Sequence, residues 1–274
     1  MFGHNEVVGQ KFFREHPEAR AGKLLVTSIF HTLQGEGPHA GLPAVFVRLA
    51  KCQLRCHFCD TYFDSGDWMG VDEILRSSPV AARLMVITGG EPTLQNPNLR
   101  ALLEAGRPRF PLTQIESNGL ICADVPAETT VVVSPKRPEK QDRRPPGPLE
   151  KWPPLPLTSL LRADCLKFVL SGDPESPYHS VPDWAHEWCC QTGREIYISP
   201  MAEYNHAPEQ ALALYDARGA PSLAERTAAE RVSFWESGLL DMKKCQRNYE
   251  HAAGYVLEHG LRLSIQQHLF ASLP

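Results

Sequence analysis

The stretch Pro43-Ala-Val-Phe-Val-Arg-Leu-Ala50 runs directly into Lys51-Cys52-Gln-Leu-Arg-Cys56-His-Phe-Cys59, an apolar segment of strand character feeding a loop with three cysteines spaced C-x3-C-x2-C. Thiols so close in sequence can converge on one inorganic centre. A cubane iron-sulfur cluster has four irons and is normally held by four thiolates. Three thiolates leave one iron open for a small molecule to chelate, which turns an electron carrier into a catalyst. Two other readings stand beside this one. Cys-x2-Cys pairs also hold structural zinc, and His57 or a distant cysteine could complete such a site. No second C-x2-C occurs, however, and Cys189-Cys190 is an adjacent pair with poor chelating geometry. The third reading is a buried, inert trio, and the sequence around the loop has to decide.

Outward from that loop, apolar β-branched runs recur at Leu24–Ile29, Val45–Leu49, Leu84–Thr88, Leu112–Glu116, Thr130–Val133, Cys165–Leu170, Ile196–Ser199 and Leu261–Ile265. Helix-like stretches lie between several of them, at Val71–Ser77, Asn98–Ala105, Val181–Gln191 and the long Leu239–His259. Continuous apolar strands separated by helices predict a parallel sheet covered on both sides. Two segments break the rhythm. Lys136–Pro156, crowded with proline and charge, reads as a surface excursion or flexible loop. Ala207–Glu236, polar and alanine-rich, reads as a helical insertion. Residues 1–22 form an N-terminal extension, and residues 23–274 read as a single domain carrying both insertions. There is no internal repeat.

The unusual polar residues fall at one place on this rhythm. The cysteine loop follows the strand ending near Leu49, and Gly89-Gly90-Glu91-Pro92-Thr93 follows the strand ending at Thr88. Glu116-Ser117-Asn118-Gly119, Ser134-Pro135-Lys136 and Ser199-Pro200-Met201 follow later strands in the same way. Active sites of α/β barrels are built from that carboxyl-end rim. Each turn taken alone is an ordinary strand-to-helix connection; their recurrence after the cysteine loop is harder to dismiss.

Composition narrows the class. A chain of 274 residues suffices for one large α/β barrel or two modest domains, and for a sizeable core. Hydrophobic residues make up 42% and charged residues 22%, as in an ordinary globular protein. A formal charge of -4 and a pI of about 6.3 give no reason to expect a nucleic-acid partner. No apolar run approaches a membrane span, and the first residues lack the apolar region of a signal peptide. Eight cysteines with three in one loop do not suggest a disulfide framework, so a reducing, cytoplasmic compartment is the better fit.

The cysteine tripod together with Gly89-Gly90-Glu91-Pro92 resembles the radical S-adenosylmethionine superfamily. More narrowly, Phe30-His-Thr-Leu-Gln-Gly-Glu-Gly37, Pro43–Ala50, Cys59-Asp-Thr61, Thr88–Pro92 and Ile115-Glu-Ser-Asn-Gly119 resemble the 7-carboxy-7-deazaguanine synthase family. The terminal Ser264-Ile-Gln-Gln-His268, running to Pro274, is similar to that family's ending. The likeness covers most of Leu24–Lys136, then Lys167 and the last segment. It implies an α/β fold, a modified, incomplete (β/α) TIM-like barrel of the radical S-adenosylmethionine type. It also implies a homodimer and an external electron donor such as a flavodoxin or ferredoxin. The implied reaction takes 6-carboxy-5,6,7,8-tetrahydropterin to 7-carboxy-7-deazaguanine with loss of ammonia, toward queuosine and other 7-deazapurines. A 5′-deoxyadenosyl radical made from S-adenosylmethionine would abstract hydrogen from C6 of the pterin and later return it. The protein's tasks are then positioning, Mg2+ clamping of the carboxylate and exclusion of water.

Carried over position by position, the resemblance gives Cys52, Cys56 and Cys59 the [4Fe-4S] cluster. Phe58, Cys59 and Asp60 lie along the adenosyl group of S-adenosylmethionine, Gly90 with Glu91 meets its ammonium, and Ser134, Pro135 and Lys136 contact its ribose or carboxylate. Thr61 would offer its hydroxyl to Mg2+, a hard cation that prefers oxygen. Leu33, Gln34 and Gly35 would contact the pterin edge, and Arg48 its carboxylate through a bidentate pair. Thr88, Glu116, Lys167 and His268 are further substrate contacts, and Pro274 could present the terminal carboxylate. Each has an ordinary counterpart: Arg48 in a surface ion pair, Glu116 orienting a loop, Pro274 as a tail. Cys122, Cys165, Cys189, Cys190 and Cys245 sit in apolar surroundings and read as core residues.

The chain departs from the family in its extension and two insertions, and in Ser199, where some members carry Gln before Pro-Met. Ser199 is therefore an open cofactor contact. Three rivals remain at this level: an activator of a glycyl-radical partner, a non-catalytic zinc or iron-sulfur module, and a related enzyme on a different heterocycle. The Leu33–Gly37 motif argues against the first, and Gly89–Pro92 with Thr61 against the second.

Overall fold

The computed structural model describes residues 4–78, 82–137, 152–205, 218–235 and 238–274. Among the described residues nine strands form one sheet: β1 Leu24–Leu33, β2 Pro43–Leu49, β3 Asp67–Met69, β4 Leu84–Gly89, β5 Leu112–Ser117, β6 Thr130–Val133, β7 Cys165–Leu170, β8 Ile196–Pro200 and β9 Arg262–Leu263. Their spatial order is β3-β1-β2-β4-β5-β6-β7-β8-β9. From β2 to β9 every neighbouring pair is parallel. All eight apolar runs are strands, with ends shifted by a few residues.

The expected parallel sheet carries an exception at one edge, where β1 runs antiparallel to both β2 and β3. The cause is local. Gln34 donates its N–H to Leu42 O at 2.8 Å and Gly41 to Gln34 O at 2.7 Å, closing a compact turn. That turn is too short to carry the chain back for a parallel pairing. The short β3 shows too few residues for any alternation to register.

The helices are α1 Gln10–Glu15, α2 Pro17–Arg20, α3 Val71–Ser77, α4 Asn98–Gly106, α5 Leu157–Arg162, α6 Asp183–Thr192, α7 Leu223–Ala228, α8 Met242–His259 and α9 Gln267–Phe270. The longer ones follow from amphipathic spacing and end signals. In α4 the buried residues are Leu99, Leu102, Leu103 and Gly106, one stripe of a helical surface. In α8 the Asp241 side chain caps the first turn, and Gly260 at φ 66° ends the helix in the left-handed conformation open to glycine.

The sheet's two faces divide labour along each strand, because successive side chains point to opposite sides. On β2, Val45, Val47 and Leu49 belong to the main core beneath α4 and α8, while Ala44 and Phe46 face the other way. On β7, Leu166, Phe168 and Leu170 are core, and Lys167 and Val169 alternate with them. Arg48 is therefore on the same face as Phe46, and its register partner on β4 is Thr88. Val169 is paired with Ser199 of β8. Polar residues from strands far apart in sequence thus come to one side of the sheet near its carboxyl ends.

The segment before β1 is packed onto this frame. Phe13 is buried with Leu25, Ala50 and Leu94. Val7 forms a parallel bridge with Cys52, and Val8 N donates to Cys52 O at 2.9 Å. Most of the Pro-rich segment, residues 138–151, lies outside the described residues, as do 206–217 and 236–237, which take in both ends of the helical insertion expected at Ala207–Glu236. Within the rest of that insertion, α7 lies against β1: Arg226 is 3% exposed and donates to Thr27 O at 2.5 Å and Asp67 Oδ2 at 2.9 Å.

Candidate active site

The cysteine loop begins at Lys51, whose φ of 72° turns the chain sharply after β2. The loop after β4 lies directly on that turn. Gly90 N donates to Leu49 O at 2.8 Å and Glu91 N to Lys51 O at 2.9 Å. A Cβ on Gly90 would meet Lys51 O at 2.0 Å, and one on Gly89, at φ 116°, would meet Leu49 O at 2.2 Å. Both obstacles are backbone, so only glycine permits this approach. The Gly-Gly pair therefore has a structural reason beyond any ligand contact: it seats the cysteine loop.

Glu91 needs a correction. Its carboxylate does not line the cavity but is wholly buried, accepting from Thr93 N (3.0 Å), Thr93 Oγ1 (2.7 Å), Ser117 Oγ (2.9 Å) and Asn118 N (2.7 Å). Its oxygens tie the loop after β4 to the loop after β5, and a direct contact to an ammonium group is not what this side chain is placed for.

Cys52, Cys56 and Cys59 line one cavity, and none of them is in a disulfide. Leu54 N donates to Cys52 Sγ at 3.3 Å, and Cys59 N to Cys56 O at 3.2 Å. Burial pushes the Cys52 and Cys59 thiols up to about 12 each. Both are neutral without a positive centre to stabilise the thiolate, as iron would. Among the described residues no three His, Cys, Asp or Glu side chains stand close enough to hold a single ion; the thiols share a wall of the cavity. Phe58, Asp60, Gly90, Ser134, Lys136 and Ser199 line it with them. Lys136 Nζ donates to Ser134 O at 3.0 Å and Ser134 Oγ at 2.5 Å. Three thiols on one cavity wall, beside a glycine-seated loop and a half-buried lysine, are the donor set that a cluster with one open iron would need.

The same cavity holds a connected polar set. Lys167 Nζ donates to Glu36 Oε2 at 2.9 Å and to Glu116 Oε2 at 2.8 Å. Gln34 Nε2 donates to Glu116 Oε1 at 3.1 Å, and Ser199 Oγ to Glu36 Oε1 at 2.6 Å. Burial would raise Glu116, but the Lys167 ammonium holds it below its ordinary value. Burial would likewise lower Lys167, and the two carboxylates lift it above the usual lysine range instead. Arg48 donates from Nε to Glu230 Oε2 at 2.8 Å and from Nη1 to Thr61 Oγ1 at 3.2 Å. Thr61 in turn donates to Asp60 Oδ1 at 3.0 Å. His268 lines the cavity with a buried Nδ1 that has no hydrogen-bond partner among the described residues.

Gln34, Arg48, Thr61, Thr88, Glu116, Lys167 and His268 are thus brought together with the tripod. Leu33, Gly35, Pro135 and Pro274 do not line the cavity. Gly35 serves it indirectly, since a Cβ there would meet Gln267 N at 2.8 Å. Its lack of a side chain lets the segment bearing Gln266 and His268 approach. Sequence reasoning missed Glu36, Gln266 and Glu230. Glu36 stands inside the Leu33–Gly37 motif and Gln266 inside the terminal one, so both had a signal. Glu230 had none.

No protein-family model matches the chain. Curated relatives do. The chain is 35% identical over 192 residues to a 7-carboxy-7-deazaguanine synthase of Rhodospirillum rubrum, covering 66% of this chain and 71% of that one. It is 31% identical over 194 residues to one of Methanospirillum hungatei, covering 68% and 76%. A Neisseria meningitidis relative of the same name is 45% identical over 123 residues, covering 44% and 55%. Among solved structures, QueE from Escherichia coli superposes with a TM-score of 0.56 at 20% identity, covering 95% of this chain and 99% of that one. That likeness speaks to the fold, an incomplete barrel of mixed α/β type.

Proposed function

The chain belongs to the 7-carboxy-7-deazaguanine synthase family, and from that premise we propose how its own residues serve the conversion of 6-carboxy-5,6,7,8-tetrahydropterin to 7-carboxy-7-deazaguanine and ammonia. It is a radical S-adenosylmethionine lyase. Cys52, Cys56 and Cys59 would hold the [4Fe-4S] cluster, with Phe58, Asp60, Gly90, Ser134, Lys136 and Ser199 around S-adenosylmethionine. When bound, cluster and S-adenosylmethionine supply hydrogen-atom abstraction, and the chain supplies everything else.

The observation that carries the reading is one cavity containing both the tripod and the Gln34–Glu116–Lys167–Glu36 set. Gln34, Glu36 and Glu116 offer acceptors and donors suited to the amide and amine edge of a pterin, and Lys167 fixes both carboxylates in place. Arg48 keeps the carboxylate of the substrate in register. Thr61 and Asp60 present adjacent oxygens that suit Mg2+, which retains waters and takes substrate oxygens. The Arg48 guanidinium would have to share that space with the dication. An external one-electron donor such as a flavodoxin or ferredoxin, a homodimer and a cytoplasmic setting complete the reading. The resemblance and the cysteine usage support them. Among the described residues no helix is long and apolar enough to cross a membrane.

The test is anaerobic reconstitution with iron and sulfide, then assay with S-adenosylmethionine, reductant and the carboxy-tetrahydropterin, following 7-carboxy-7-deazaguanine and ammonia. Cleavage of S-adenosylmethionine with no consumption of the pterin would point to another heterocycle. Stoichiometric zinc in place of cluster absorption would overturn the reading, and full activity in excess chelator would remove Mg2+ from it.

A further inference from the structure

Among the described residues Arg48 is paired with a carboxylate through Nε alone. Glu230 Oε2 accepts from Arg48 Nε at 2.8 Å, while Glu230 Oε1 accepts from Ser28 Oγ at 2.6 Å. A bidentate carboxylate would occupy the guanidinium's fork; this single contact leaves the Nη edge for other partners. That edge reaches Thr61 Oγ1 at 3.2 Å, in the wall shared with Asp60. Both side chains of the pair are largely shielded, at 18% and 15% exposure.

Glu230 is itself delivered by a fixed support. It follows α7, whose Arg226 donates to the carbonyls of Val26 and Thr27 and to Asp67. Thr227 Oγ1 accepts from Ile29 N at 3.4 Å. The helix is pinned along β1, the strand beside the one that carries Arg48. Without Glu230, the carboxylates nearest in charge to Arg48 are Asp60 and Glu116, both in the cavity wall. A guanidinium drawn to either would be withdrawn from a ligand.

We propose that Glu230, supplied by the second insertion, is a positioning residue that fixes Arg48 by its Nε and keeps the Nη edge turned to the carboxylate of the bound substrate. The proposal rests on the reading of this cavity as the pterin site. It makes the insertion part of the specificity for a carboxylated ligand.

The experiment uses full-length, anaerobically reconstituted enzyme as wild type, Glu230→Ala, Glu230→Gln, Arg48→Ala and the Arg48→Ala/Glu230→Ala pair. Two ligands are compared, the 6-carboxy-tetrahydropterin and a tetrahydropterin without the carboxylate. Glu230→Ala should weaken the carboxylated ligand about tenfold, as expected for a charge-assisted contact, with kcat changed by about twofold or less. It should leave the carboxylate-free pterin unaffected and cost nothing more in the Arg48→Ala background. Glu230→Gln, which keeps an acceptor for Nε, should fall between. Equal weakening of both pterins, or a loss additive with Arg48→Ala, overturns the proposal. A readout without substrate stands beside this. The Arg48 Nε–H resonance should exchange slowly with water in wild type and rapidly in Glu230→Ala, and no difference also overturns it. If wild type binds neither pterin, the substrate reading fails, while the resonance still judges the contact.

Discussion

Lys167 shows what a single buried side chain contributes at this site. It is 7% exposed and holds Glu36 and Glu116, themselves 14% and 16% exposed, so three charges depend on one another away from water. Removing the cation leaves two carboxylates facing each other, and breaking a buried pair in this way costs about 3–5 kcal/mol. Lys167→Met should therefore destabilise the protein by about that amount at neutral pH. The pH dependence carries a sign. In wild type, Glu116 titrates below its ordinary 4.5, so its contribution is full above that value and is lost as pH falls through the folded value. In Lys167→Met the largest lowering influence on Glu116 is gone and only Gln34 and Arg48 oppose burial, so Glu116 should titrate higher than in wild type and the stability it contributes above its folded value should shrink. Urea unfolding at about pH 4 and about pH 7 checks it: the deficit should be larger at the higher pH. An equal deficit at both would mean that the loss is one of packing.

At the scale of elements, the cysteine loop is held from two directions. One hold is the Gly89–Gly90 turn lying on Leu49 and Lys51. Gly90→Ala would put a methyl 2.0 Å from Lys51 O, and the backbone of the loop has to move to relieve it. Cluster loading should be lost while far-ultraviolet circular dichroism stays that of wild type, because the strands themselves are untouched. Stoichiometric iron and sulfide in this variant would show that the close approach is dispensable. The other hold comes from the N-terminal segment, through the bridge between Val7 and Cys52. Val8→Pro removes the donor to Cys52 O, a hydrogen bond with a net contribution of about 1 kcal/mol, or about a fivefold change in a local opening equilibrium. Iron loss from the reconstituted protein to a strong chelator should accelerate by a similar factor. An unchanged rate would leave the extension with no part in retaining the cluster.

At the scale of the whole molecule, every strand but β3 was legible because β-branched apolar runs are local signals, and the rim was legible because polar turns follow them. The antiparallel direction of β1 was not, since it depends on a turn whose hydrogen bonds leave no periodic trace. Glu91 illustrates a different limit: a carboxylate beside Gly-Gly looks ligand-facing, and only the folded chain shows four in-chain donors around it. Glu230 meets Arg48 across 182 positions of sequence, so no motif could announce the pair. The cavity that results draws its wall from β2, β4, β5, β7 and β8 and from the loops after them, and a ligand bound there ties the parallel sheet together. Binding to the folded state alone stabilises it, by about 2.7 kcal/mol at a ligand concentration a hundred times Kd. Anaerobic thermal unfolding should therefore show two steps of stabilisation, one on cluster loading and one on adding S-adenosylmethionine. The second should depend on the first, because the open iron would supply the chelation. Cys56→Ala should abolish both steps. Cys189→Ala, a change on α6 away from the cavity, should preserve both. A rise in Tm with S-adenosylmethionine in Cys56→Ala would detach the ligand from the tripod, and loss of both steps in Cys189→Ala would mean that the ligating cysteines lie elsewhere.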